Sequence, residues 1–149
     1  MSDASPEFGA ADVQVLTRTP GYRGFFSLDT WVLRHRLYAG GWSQPFSREL
    51  FVRDAAAGVL LYDPVRDEVV LVEQFRIGAM VDAETRGTSP WLLEVVAGII
   101  ATGESAAELA QREAVEEADC QIRELIHILD YYNSPGGSNE FISLYCGLV

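Results

Sequence analysis

Three glutamates, Glu113, Glu116 and Glu117, fall within about one helical turn in the stretch AGIIATGESAAELAQREAVEEADCQI, residues 97–122, beside Arg112 and after a glycine-containing loop. Like charges three and four residues apart on a helix repel, by roughly 0.2–0.5 kcal/mol per exposed pair, so the arrangement calls for something that offsets it. The three carboxylates share one sector of the helix, while Ala107, Ala110, Ala114 and Ala118 form the neighbouring face. One face is suited to packing and the other presents oxygen ligands. Oxygen-only clusters suit hard divalent cations such as Mg²⁺, which accepts carboxylates, keeps several waters and bridges to substrate phosphates. The competing reading is a solvated acidic face with Arg112 as an ordinary surface partner.

The elements that must position this cluster can be read along the chain. Ser105-Ala106-Ala107-Glu108 matches a capping box, in which the serine oxygen accepts from the backbone at Glu108 and Glu108 reaches back; a helix therefore begins at Ser105. The apolar run LLEVVAGII, residues 92–100, is predicted to be a strand leading into the loop ATGE. Upstream, GVLLY (58–62) and EVVLVEQ (68–74) flank the turn sequence DPVRD and read as a hairpin. DVQVLT (12–17) and part of FFSLDTWVLRHRL (25–37) alternate apolar and polar residues as an early strand or hairpin, with TPGYRG as punctuation between them. Residues 77–90 read as a loop or irregular stretch. RELIHILDYY (123–132) and FISLYCGLV (141–149) are predicted strands around the turn SPGG. Strands dominate around one strongly signalled helix, which is α+β: a mixed sheet with the helix packed on it.

Composition bounds the chemistry. At 149 residues and 48% hydrophobic the chain has the length of one ordinary domain and enough apolar surface for a single core. Its formal net charge of -11, with no lysine or arginine run, excludes a basic footprint for nucleic-acid polymers or anionic membranes. Cys120 and Cys146 lack metal-ligand spacing and form no disulfide framework, which fits a reducing compartment. With no secretory pattern at the N-terminus and no stretch of membrane-span length, a cytoplasmic location is expected.

The spacing Gly98, five residues, Glu104, seven residues, then Arg112-Glu113-Ala114-Val115-Glu116-Glu117-Ala118 resembles the signature of the Nudix hydrolase family. The family's final glycine is replaced by Asp119, a residue that can also take the left-handed conformation of a helix C-terminus. The resemblance implies a Nudix fold with Glu113, Glu117 and Glu116 binding a divalent metal, Mg²⁺ or alternatively Mn²⁺, together with the backbone carbonyl of Ala97. It further implies that Arg112 orients the carboxylates, that Glu104 pairs with Arg112, and that Glu104, Arg112 and Glu116 serve catalysis.

The flanks YRGFFSLD (22–29), RELF (48–51), DPVRDEVVLVEQFR (63–76), SPWLLEVVAG (89–98) and SPGGSNE (134–140) look like the bacterial ADP-ribose pyrophosphatases within that family. By that resemblance residues 1–50 are a β-rich dimerisation arm and 51–149 a Nudix catalytic domain, and the partner is a second copy in a homodimer that exchanges N-terminal strands. Phe25 and Arg48 would sandwich adenine in a cleft formed by two subunits, Arg76 would contact the phosphates, and Glu140 would approach the terminal ribose from the partner subunit. The opposing readings are Phe25 in the core, Arg48 and Arg76 as surface charges and Glu140 as a solvated loop residue. The implied reaction is Mg²⁺-dependent hydrolysis of ADP-ribose to AMP and ribose 5-phosphate. A nucleotide-sugar pyrophosphatase, for instance on GDP-mannose, and a non-catalytic ADP-ribose sensor are the alternatives. The resembling enzymes continue for several tens of residues beyond CGLV, with a glutamate that positions or deprotonates water, so a fragment or a feeble catalyst is expected.

Overall fold

The computed structural model describes residues 8–149. They fall into two compact units. One holds the described residues up to Arg53 with Ser134–Asn139, and the other Asp54–Asn133 with Glu140–Val149.

In the first unit β1 (Val13–Arg23), β2 (Ser27–His35) and β3 (Phe46–Val52) form an antiparallel sheet in that order. The alternating segments give β1 and β2, but TPGYRG is not the turn between them. β1 runs through it to Arg23, with a register shift between Pro20 and Arg23, and the chain reverses at Gly24–Phe26. Pro20 lacks an N–H, which an edge strand at an irregularity tolerates. Gly21 beside it lets the backbones close in, since a Cβ there would meet the Leu28 carbonyl oxygen at 2.6 Å. Residues 134–139 join this sheet locally: Phe51 N–H donates to the Gly137 carbonyl at 2.8 Å. The Asn139 side chain brackets Arg53, accepting from its N–H at 2.7 Å and donating to its carbonyl at 2.9 Å.

The second unit contains β4 (Ala56–Asp63), β5 (Glu68–Val70), β6 (Val72–Phe75), α1 (Ile77–Arg86), β7 (Trp91–Glu94), β8 (Val96–Ile99), α2 (Ala106–Ala118), β9 (Glu124–Tyr132) and β10 (Phe141–Leu148). β5-β4-β10-β9 form a mixed sheet with β8 also on β4; β4 and β10 run parallel, and the other pairs are antiparallel. β6 and β7 form a separate ribbon. Two apolar runs each expected as one strand are thus divided, at Leu71 and at Val95, where the chain passes from one sheet to another. The expected loop at 77–90 is corrected to the helix α1, closed by Gly87 in the left-handed region at φ 64°. Its sequence hid it: Gly78 lowers helix propensity, and Arg76 at the N-cap makes no side-chain cap hydrogen bond.

The core of this unit lies between the mixed sheet and α2. The period of two along β4 turns Ala57, Val59 and Leu61 to one face, where Val59 and Leu61 meet Val96, Ala110 and Ala114 with essentially no exposure. Alanines on α2 allow close approach, and burying Val59 or Leu61 contributes roughly 1.5–3 kcal/mol each. The architecture is α+β, as the pattern implied, with two α-helices rather than one among the described residues. No described helix is long and apolar enough to cross a membrane.

Candidate active site

α2 is fixed at both ends by local chemistry. Ser105 Oγ accepts from the Glu108 N–H at 3.2 Å, and Glu108 Oε2 accepts from the Ser105 N–H at 2.8 Å, which closes the capping box. The serine hydrogen bonds lower the Glu108 pKa. Asp119 ends the helix at φ 52°, its N–H donating to the Val115 carbonyl at 3.1 Å while the Cys120 N–H donates to the Ala114 carbonyl at 3.0 Å. Before the helix, Gly103 turns the loop at φ 85°, and Glu104 accepts from the Ala101 N–H at 3.1 Å.

Arg112 gathers three carboxylates. Its Nε donates to Glu104 Oε1 at 2.9 Å and its Nη2 to Glu104 Oε2 at 3.3 Å, while Nη1 donates to Glu113 Oε1 at 2.8 Å and Glu116 Oε2 at 2.9 Å. These bonds, led by the one to Glu104, raise the Arg112 pKa, and the same guanidinium, with the Ala101 N–H, lowers that of Glu104. Arg112 therefore supplies part of the offset that the clustered glutamates demand. Glu117 points a different way and accepts from Gln74 Nε2 on β6 at 3.2 Å.

Glu113 lies against the backbone of β8. A Cβ at Gly98 would come within 2.5 Å of its Oε1, so the missing side chain is what lets the carboxylate sit beside the strand that carries Ala97. Among the described residues no three His, Cys, Asp or Glu side chains already converge as a metal cluster. The donors nonetheless fit a hard divalent cation: carboxylates from Glu113, Glu116 and Glu117 and the Ala97 carbonyl are all oxygens, and such an ion keeps most of its water shell.

Arg76 belongs to the same neighbourhood. It is still extended at φ -123°, ψ 112°, so the strand period places it on the face of β6 that carries Gln74. Its Nε donates to both oxygens of Glu94, at 3.0 and 2.9 Å, and Nη2 donates to Oε2 at 2.5 Å. That pairing raises the Arg76 pKa, with a further contribution from the charge of Glu117. Gln74 and Glu94 are the residues that sequence reasoning missed. The alternation in EQFR was a signal for Gln74, whereas Glu94 depends on the β6–β7 pairing, which no local pattern encodes.

The other expected ligand residues, Phe25, Arg48 and Glu140, belong to different elements. Phe25 stands 87% exposed in the β1–β2 turn, edge-on to Phe26 at 4.7 Å, so it is not core. Arg48 pairs in register with Trp31 and lies 4.5 Å from the Phe46 ring. Phe25 precedes β2 whereas Arg48 pairs with its fifth residue, and no ring–guanidinium contact between the two is formed among the described residues. Glu140 Oε2 accepts from Asn133 Nδ2 at 2.7 Å beside the turn that starts at Ser134.

Comparison with known proteins places the chain in a family. The NUDIX domain family matches residues 52–146. An ADP-ribose pyrophosphatase of Escherichia coli strain K12 is 49% identical over 142 residues, which is 95% of this chain and 66% of that protein. Its namesake in Haemophilus influenzae is 44% identical over 95% of this chain and 65% of its own length. A GDP-mannose pyrophosphatase of Salmonella typhimurium is 35% identical over 66% of this chain. The chain thus spans about two thirds of the length of its ADP-ribose pyrophosphatase relatives. A crystal structure of an ADP compounds hydrolase superposes with a TM-score of 0.66 at 19% identity, covering 92% of this chain and 67% of that one, which speaks to the fold. With the family matched over most of its length and its glutamate helix built around Arg112, the chain belongs to the Nudix family.

Proposed function

We propose that the protein hydrolyses the pyrophosphate of ADP-ribose, with water, to AMP and ribose 5-phosphate in a divalent-metal-dependent reaction. The observation that carries this reading is the seat of Glu113 against Gly98, which sets a carboxylate beside the Ala97 strand on a helix that also bears Glu116 and Glu117. The high identity to proteins named ADP-ribose pyrophosphatase, against 34–35% to GDP-mannose pyrophosphatases over a shorter stretch, favours ADP-ribose within the family's substrate range.

In this reading Glu113, Glu116, Glu117 and the Ala97 carbonyl would hold Mg²⁺ or Mn²⁺. The bound cation would supply charge neutralisation on the phosphate oxygens and a lowered pKa for the attacking water. The chain's own residues do the rest. Arg112 holds Glu113 and Glu116 in place while Glu104 holds Arg112. Arg76 donates to the diphosphate, which a chain of net charge -11 would otherwise repel. Phe25 and Arg48 take the adenine from two subunits, and Glu140 from the partner subunit takes the terminal ribose. Residues 1–50 act as the arm of a homodimer, and the cytoplasm is the setting. Measuring AMP release from ADP-ribose with and without Mg²⁺, beside GDP-mannose, tests the proposal. Metal-dependent release from ADP-ribose is expected; faster cleavage of GDP-mannose, or binding without cleavage, would replace it.

A further inference from the structure

We propose that Glu94 is a positioning residue, which grips Arg76 along one edge of its guanidinium, keeps it off Glu117 and leaves its Nη1 edge for the substrate diphosphate. The inference rests on the reading that this site takes a nucleoside diphosphate with a divalent metal.

Three observations carry it. The grip is two-pronged: Nε and Nη2 of Arg76 are both taken by Glu94, and no hydrogen bond engages Nη1 among the described residues. A planar guanidinium held on one edge has its other edge fixed in direction, and a point charge such as lysine could not be oriented this way. The second observation is placement. Glu94 sits opposite Val72 on the ribbon, so the face it shares with Gln74 and Arg76 is the one whose Gln74 reaches α2 at Glu117. The third is competition. A cation at the end of β6 lies within reach of the field of Glu117, and an arginine released from Glu94 would be drawn to that carboxylate, taking an oxygen donor from the metal. Glu94 thus does two things at once: it presents one cation to an anionic substrate and preserves an anionic ligand for another cation.

The test uses the full chain as wild type, Glu94→Gln, Arg76→Gln and the double variant, with circular dichroism to establish folding. Mn²⁺ binding is followed by electron paramagnetic resonance without substrate, and binding of the α,β-methylene analogue of ADP-ribose by calorimetry with Mg²⁺ present. Glu94→Gln is expected to lose about tenfold in analogue affinity, within what outer partners of site residues are worth, and to bind Mn²⁺ several-fold more weakly. In the Arg76→Gln background the same change should cost no further analogue affinity and should leave Mn²⁺ binding at its wild-type level. Equal losses in both backgrounds, or tighter analogue binding by Glu94→Gln, would overturn the inference. If Glu94→Gln does not fold, Glu94→Asp, with the charge on a shorter arm, carries the same comparison. A wild type that binds Mn²⁺ but not the analogue overturns the ADP-ribose reading instead, and the Mn²⁺ arm alone then decides for Glu94.

Discussion

Arg112 bonds Glu104, Glu113 and Glu116 together, so its loss has two consequences: the carboxylates are no longer held, and their mutual repulsion is no longer offset. Arg112→Ala should weaken Mn²⁺ binding by about 10–100-fold, as the loss of outer partners of metal ligands does, and a titration of the folded variant checks this. Glu113→Gln and Glu117→Gln keep the shape and remove the charge; each should abolish metal-dependent AMP release with the circular dichroism spectrum unchanged, and wild-type turnover at limiting Mg²⁺ would contradict the metal assignment. Gly98→Ala is more selective. The new Cβ meets the side chain of Glu113 rather than backbone, so stability should change by less than about 1 kcal/mol while metal affinity falls as the carboxylate is displaced. The glutamates and Arg112 were legible in the sequence because one helix fixes their spacing. Gln74 and Glu94 approach the site through tertiary pairing, and no window of sequence holds both partners.

At the scale of elements, α2 depends on its caps. Ser105→Ala removes the acceptor for the Glu108 N–H and should cost about 1 kcal/mol in thermal or denaturant unfolding. It should also flatten the acid limb of stability. Glu104 and Glu108 both have pKa values below the ordinary 4.5 in the folded chain, so the unfolded chain takes up protons first as pH falls. Their stabilisation is complete above that value and is lost as pH drops through the folded pKa values; because Ser105 is the main cause for Glu108, the Ser105→Ala variant should lose less as pH falls below 4.5. The caps of α2 could be read in advance because they are local. α1 could not, since Gly78 and the missing N-cap leave only the Gly87 stop and the Asp82–Arg86 pair at 3.2 Å as signals. The divisions at Leu71 and Val95 were hidden for another reason: an unbroken apolar run says that a strand is buried, but not which sheet it belongs to.

At the scale of the molecule, the first unit exposes Tyr22, Phe25, Leu16 and Val13 along its own hairpin. A second copy that exchanges N-terminal strands would cover such residues and bring the Phe25 of one subunit toward the Arg48 of another. Sedimentation should therefore give a dimer at micromolar concentration, and deletion of residues 1–50 should yield a monomer with weakened ADP-ribose binding; an undiminished affinity in a monomer would count against the arm. The pairing of β4 with β10 has a consequence in time. As the ribosome releases the chain, the hairpin of β1 and β2 forms from adjacent strands and α2 with its glutamates follows β4, but the parallel neighbour of β4 is made only after β5 to β9. Until Ile142 reaches Ala56 and Leu148 reaches Tyr62, one side of β4 has no strand partner, so a long-range closure has to wait until the intervening elements have been made. The nascent protein therefore carries its acidic helix for some time before the sheet beneath it is complete, and it is in that interval that a chaperone has most to protect.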